Sequence, residues 1–507
     1  MILVQRDRCM MDQTTTLGAD RLPQSSFVFS RIKDNIAENL PLWTFSVFYF
    51  LTTVLVNILY AIGIGREWPA NFVPNFSWSH FTVSFGPLYW ILLLCPFVVL
   101  PLVAIPTAKT AGPVANRLAS LLTEFQKLPF AILCILLYGY VAFELWRGGA
   151  VAKLFSAGDA MDQVRARFAL QAEIGFPTQV ALLALLQFFA IYACVKAMRQ
   201  KDLFWRLAAI IHVVAMLAFL VLLNMKWPVI LFIITLGVVV FVTAKRAVII
   251  STIAVMICAA AVYLLISAAL LKMEPSPTAV AATMVPSPVL HVPPPVAANP
   301  AAPHSLAHSP PAVSTPKPPS PSAAPSVAPP SFGEDAIRLI SAAKDNVGML
   351  TVVLLNRMGD EVPFYYDTFT TKGAFCGTFF DWFFHTPGLK CRPSLYIYTE
   401  MFHDDFAGEG TSPAAFQIYE YSREGWAGVA VALLLGGLFF GAFMALRPTA
   451  EKSDIVAAIF VMGAPAAYAL SQLPIEGAII YANGIAWWGA VVVLNALVAA
   501  AYRRRHA

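Results

Sequence analysis

Polar positions are scarce in this chain and fall in a repeating order. Apolar stretches of about 20 residues, the length that crosses a hydrocarbon core about 30 Å thick, alternate with short segments that hold the charges. Ten such stretches stand out, near 42–64, 84–106, 128–146, 176–196, 204–223, 226–244, 247–271, 426–446, 454–472 and 478–501. Each predicts a membrane-spanning helix, because inside a bilayer the backbone finds its hydrogen-bond partners only within its own segment. One long interruption, roughly residues 272–425, separates the seventh stretch from the eighth.

Composition supports this pattern. Of 507 residues, 58% are hydrophobic and 12% charged, against roughly 25% charged in soluble domains. The expected fold is all-α and polytopic, with about ten transmembrane helices and one large segment outside. The N-terminal 40 residues are charged and lack the apolar core of a cleaved signal peptide, so residues 1–41 read as a tail before the first span.

Lysine and arginine placement sets orientation. With the N-terminus inside and strict alternation, the inner segments hold nineteen basic residues: Arg6, Arg8, Arg21, Arg31, Lys33, Lys109, Arg117, Lys127, Lys196, Arg199, Lys201, Arg206, Lys245, Arg246, Arg447, Lys452, Arg503, Arg504 and Arg505. The short outer loops hold six. Both termini are therefore expected inside, residues 502–507 forming a basic tail. The net charge of +5 reports this topology. No dense basic tract with interleaved aromatics argues for nucleic acid.

The long outer segment has two parts. Residues 272–332 are rich in proline, alanine and serine, and proline fixes φ and removes donors, so a disordered linker is expected. Residues 333–425 carry apolar positions at helical spacing (Ile337, Ile340, Val347, Leu350) and predict amphipathic helices at the membrane surface. An aromatic-rich run follows, suited both to the bilayer interface and to stacking on sugar faces.

Four of the seven cysteines (Cys95, Cys134, Cys194 and Cys258) fall inside spans, where the residue acts as a small hydrophobe. Cys376 and Cys391 lie outside. In an oxidising compartment they would close a disulfide loop of about 15 residues, worth roughly 3 kcal/mol. No Cys/His spacing suggests a metal.

The span centres are almost free of charge, and no internal repeat is evident, which argues against conduction through the middle. The chemistry is concentrated at 403–426. Thr411 or Ser412 reads as an N-cap with Pro413 at the first helical position. A helix from there puts Gln417, Glu420, Tyr421 and Glu424 on one polar face. His403, Asp405 and Glu409 lie upstream. Arg357, Arg392 and Arg423 belong to the same segment. Arginine forks bind phosphate, and carboxylates or histidine serve as general bases. The competing reading is that these are solvated anchors flanking a span.

The order TAKRAVII, a span, an outer segment containing LLNRMGD, then SPAAFQIYEYSREGWAGV leading into LLLGGLFFGAF resembles the bacterial oligosaccharide repeat-unit polymerases, the Wzy-type O-antigen and exopolysaccharide polymerases. The long Pro-rich insert departs from that pattern. The resemblance implies a GT-C-like glycosyltransferase of the bacterial inner membrane. It would join polyprenyl-diphosphate-linked oligosaccharide repeat units at the periplasmic face, without metal, nucleotide sugar or other cofactor. Within that reading, Arg357, Arg392 and Arg423 are expected to neutralise the diphosphate leaving group, and Glu420, or else His403 or Asp405, to be the base. Tyr421, Gln417 and Glu409 would hold sugars. Its partners would be membrane lipid, a chain-length regulator and a flippase. Lys245 and Arg246 match the family's basic pair but fall on the inner side. Rival readings are an O-antigen ligase, a lipid-linked glycan flippase or transporter, and a membrane scaffold.

Overall fold

The computed structural model describes residues 33–64, 76–152, 173–200, 202–223, 226–244, 248–271, 359–373, 393–403, 411–482 and 484–506, with isolated positions 66, 69, 73, 169 and 170. The chain divides into two units, Met1–Lys272 with Val352–Ala507, and Met273–Thr351. The second unit lies outside the described residues. So do the expected linker and the amphipathic helices predicted over 333–358.

Among the described residues the regular structure is helical, with no strand. The helices are α1 (Leu40–Ala61), α2 (Pro87–Leu121), α3 (Lys127–Arg147), α4 (Glu173–Arg199), α5 (Leu203–Leu222), α6 (Lys226–Thr243) and α7 (Val248–Leu271). After the second unit come α8 (Glu361–Lys372), α9 (Pro393–Phe402), α10 (Phe416–Ala445), α11 (Asp454–Leu470) and α12 (Ile485–His506). Seven helices are long and apolar enough to cross a membrane: α1 to α5, the run Phe416–Ala450 that contains α10, and Ile485–Arg505 of α12. Shorter apolar helices, Pro228–Thr243, Ile250–Tyr263 and Asp454–Leu470, occupy the other three expected positions. The chain is a helical membrane protein.

Two expected boundaries move. The second span was expected to end near residue 106, yet α2 runs to Leu121 through Pro96, Pro101, Pro106 and Pro113. At about 52 Å it is longer than the hydrocarbon is thick. Proline in a buried helix is tolerated where another donor replaces its missing N–H: the Leu92 carbonyl, which Pro96 leaves free, accepts from the Cys95 thiol at 3.5 Å. The last span was expected to begin at residue 478. Instead a π-helical turn, Gly477–Ala482, is followed by a new helix at Ile485.

The principal helix pair is α2 with α10. Gly437 and Gly441 of α10 form a small-xxx-small step that lets backbones approach. A Cβ on Gly437 would lie 2.5 Å from Val103, and one on Gly441 would lie 2.7 Å from the Ala104 carbonyl oxygen. α4 is buried along its centre, Phe188, Phe189, Ile191 and Tyr192 being inaccessible. It packs against α5, α11 and the start of α12, where Phe188 stacks on Trp488 at 5.2 Å.

One end of the bundle is tied by charge. The Glu124 carboxylate accepts from the Tyr192 hydroxyl (2.8 Å), the Ser453 hydroxyl (3.0 Å) and the backbone N–H groups of Asp454 (2.9 Å) and Ile455 (3.1 Å). Lys196 lies 3.1 Å from both Glu124 and Asp454, and Arg199 lies 3.2 Å from Asp454. Glu124 thereby caps the N-terminus of α11, where a negative charge meets the unpaired N–H groups and the helix dipole. Three loops that the charge rule assigns to one face are joined here: the α2–α3 and α4–α5 connections and the turn before α11.

Candidate functional site

The other end carries the elements of the long segment. α8 is fastened to α1 and to the start of α2. The Tyr60 hydroxyl donates to the Asp360 carboxylate. The Asn57 amide donates to the Gly359 carbonyl (3.1 Å) and is itself held by the Tyr89 hydroxyl. Asp367 accepts from the backbone N–H groups of Thr82 (2.8 Å) and Val83 (3.1 Å). Burial pushes the Asp360 carboxyl up to about 7, against the opposing pull of the Tyr60 hydroxyl.

The stretch 411–424 departs most from expectation. It is not a solvated lead-in to a span. Gly425 has φ +60° and ψ −144°, a combination essentially limited to glycine, and there the chain folds back on itself. Residues 416–424 run antiparallel to the first half of the helix from Trp426. A Cβ on Gly428 would lie 2.4 Å from the Glu420 carbonyl oxygen, and one on Gly436 would lie 2.9 Å from the Phe416 ring. Phe416 also meets Phe45 edge-on at 5.7 Å, and Phe45 meets Phe440 at 5.6 Å. The segment is a re-entrant helical hairpin with its turn at Gly425, and Phe416, which begins its first arm, is buried in the bundle.

The expected N-cap is absent for a related reason. The helix begins at Phe416 with Ala415 as its cap residue and no side-chain capping bond. Ser412 is used elsewhere: its N–H donates to the Ser394 carbonyl (3.1 Å), and its carbonyl accepts from the Tyr365 hydroxyl (2.9 Å). Irregular backbone at depth is tolerated when protein groups satisfy it in this way.

The reversal brings three charges together. Arg423 Nη1 donates to Glu420 Oε1 at 3.0 Å and to Glu476 Oε1 at 2.7 Å. Glu420, Arg423 and Glu476 are 3%, 9% and 2% exposed. The guanidinium carbon lies 5.5 Å from the centroid of the Tyr419 ring. Arg423 Nε and Nη2 make no hydrogen bond among the described residues. Glu476 Oε2 and Gln417 Oε1 are buried acceptors without a donor among the described residues, while the Gln417 amide nitrogen donates to the Tyr49 hydroxyl at 2.8 Å. Removing such ions from water costs several kcal/mol each, so a buried trio with unfilled valences is a poor device for stability and a reasonable one for holding a ligand. The unfilled inventory is two donors on a cation and two acceptors. It matches an oxyanion that carries hydroxyls.

The other residues singled out from sequence divide clearly. Tyr421 is committed internally: its ring stacks on Tyr366 at 5.6 Å, and its hydroxyl pairs with that of Thr370 at 2.7 Å. This occupies the ring face expected to meet a sugar. Glu424 is only half-buried, so the predicted polar face is not one continuous solvated stripe. His403 ends α9 as an exposed residue with φ +53°. Asp405, Glu409, Arg357, Arg392, Cys376 and Cys391 lie outside the described residues. Among those described, no group of three His, Cys, Asp or Glu side chains is placed to hold a metal.

Glu476 was missed. The signal was present, as it is the only acidic residue in QLPIEGAIIYANG, a loop that alternation puts on the same face as Arg423. No family model, curated protein or solved structure matches the chain.

Proposed function

We propose that this chain is a membrane glycosyltransferase that polymerises polyprenyl-diphosphate-linked oligosaccharide repeat units at the periplasmic face. The observation that carries this reading is the buried Glu420–Arg423–Glu476 trio at the mouth of the re-entrant hairpin. Two unused donors on Arg423 suit the diphosphate, whose negative charge grows as the sugar leaves. A carboxylate beside it takes the proton of the acceptor hydroxyl. The site lies at the end of the bundle, so a lipid tail stays among the helices while the bond being broken sits at the level of the headgroups. The order of motifs resembling the repeat-unit polymerases supports the same reading, as does the placement of basic residues, which puts this end outside. An O-antigen ligase would use the same donor and differ in its acceptor.

A second reading has a specific observation in its favour. Re-entrant and interrupted helices, here at Gly425 and before Ile485, are common in transporters of charged substrates. The test is one preparation with two readouts. The purified chain in nanodiscs is given polyprenyl-diphosphate-linked repeat units, and the glycans are resolved by size. The chain in sealed vesicles is given the same units, and their movement across the bilayer is followed. A ladder of linked units is the expected result. Translocation with no new glycosidic bond would replace the polymerase by the transporter. Transfer of finished chains to a lipid acceptor would replace it by the ligase.

A further inference from the structure

The two carboxylates on Arg423 are not equivalent. Glu420 is on the same half-helix as the arginine, three residues away, and forms the i,i+3 pair that the helix itself dictates. Glu476 arrives from a different element, the turn that leads into the interrupted last helix. Its Oε1 is fixed by the guanidinium, and its Oε2 is buried with no donor among the described residues. An orphaned buried acceptor costs about 1–3 kcal/mol unless something supplies its hydrogen. The group also lies beside a π-helical turn, Gly477–Ala482, and π turns in helices concentrate at functional sites.

We infer that Glu476 is the general base of the proposed transfer, and that Glu420 is a positioning residue that holds Arg423. This inference rests on the glycosyltransferase reading and assigns a role within it. The step balances as follows. The acceptor hydroxyl gives its proton to Glu476 Oε2, and its oxygen forms the new bond to the anomeric carbon. The bond from that carbon to the diphosphate oxygen breaks, and its electron pair leaves with the diphosphate. Arg423 Nε and Nη2 face the charge that develops. The resulting carboxylic acid returns its proton to water once the products leave. Arg423 joins the two halves, because one nitrogen contacts both carboxylates, so base and anion site are one hydrogen bond apart.

The experiment compares Glu476→Gln, Glu476→Asp and Glu420→Gln with the parent chain in nanodiscs. Transfer is followed by glycan length, and carrier binding is followed with undecaprenyl diphosphate alone. Loss of a general base costs about 10²- to 10⁴-fold. Glu476→Gln is expected to lose that much transfer while its affinity for undecaprenyl diphosphate is not lowered. Glu476→Asp, which keeps a carboxylate, recovers part of the rate although it packs less well than the isosteric glutamine. Glu420→Gln loses less than Glu476→Gln. Transfer by Glu476→Gln at the parental rate, or no recovery in Glu476→Asp, overturns the assignment and leaves the polymerase reading intact. A parent chain that binds the carrier but makes no product overturns the polymerase reading itself.

Discussion

Phe416 lies against Gly436, twenty residues later in the chain, with only 2.9 Å between its ring and the place where a Cβ would be. That contact exists only because the backbone reverses at Gly425, and it defines the re-entrant hairpin. A side chain at position 436 would fill the space that the ring occupies. Gly436→Leu is therefore expected to destabilise by about 1–3 kcal/mol, the usual cost of overpacking. Gly489→Leu, at a glycine with nothing within 4 Å, serves as the control and is expected to leave stability unchanged. Thermal unfolding in detergent checks both.

The attachment of α8 carries a pH dependence. Asp360 is buried and its carboxyl is raised from 3.8 to about 7. A carboxyl raised on folding binds more protons in the folded state, so its contribution to stability is full below the unfolded value and is lost as pH rises. The docking of α8 should weaken between about pH 4 and pH 7 and level off above, because a buried charge appears on Asp360 at a cost that the Tyr60 hydroxyl offsets only in part. Amide hydrogen exchange across residues 361–372 measures this directly. Asp360→Asn, which stays neutral, is expected to remove the pH dependence.

The opposite face behaves in the reverse sense. Burial alone would raise the Glu124 carboxyl, but the Tyr192 hydroxyl, the Ile455 N–H and the Lys196 ammonium together hold it below its ordinary value of 4.5. Its contribution is present above that value and is lost as pH falls further. Removing Lys196, whose side chain is 6% exposed, takes one cation from two carboxylates that keep other partners, Arg199 for Asp454 and the Tyr192 hydroxyl for Glu124. Lys196→Met should cost about 1–3 kcal/mol, the range for a charged acceptor that loses one of its donors. Thermal unfolding at neutral pH tests this, and Glu124→Gln should flatten the loss of stability on acidification.

Much of this architecture could be read from the chain. Runs of apolar residues marked all ten helical positions, and the basic residues grouped the loops that Glu124, Lys196 and Asp454 now join. Gln417 and Glu420 were expected on one polar face and Arg423 in the same segment; the structure buries all three. What escaped was geometry that periodicity does not encode. A polar-faced helix and the span from residue 426 were both expected, but only the φ of Gly425 folds the first back against the second. The second span was expected to end near residue 106, and α2 continues past Pro113 to Leu121, because hydrophobic length marks where a span can cross and not where its helix stops. Glu476 looked like a loop charge, because its partner is 53 residues away. Tyr421 looked free for a sugar, because its neighbours Tyr366 and Thr370 come from another helix.

The role of Arg423 is the centre of the account, and substituting it gives the most direct test. Arg423→Lys keeps the positive charge but offers a single nitrogen in place of the fork. Lysine cannot hold both carboxylates and still present two donors. Transfer of polyprenyl-diphosphate-linked units should be measured in nanodiscs for the parent chain and for Arg423→Lys, with folding checked by thermal unfolding. The account predicts a ladder of products from the parent and a loss of at least about 10²-fold from the folded variant, the scale on which removing one preorganised donor acts. A folded Arg423→Lys chain that builds the same ladder at the parental rate would contradict it.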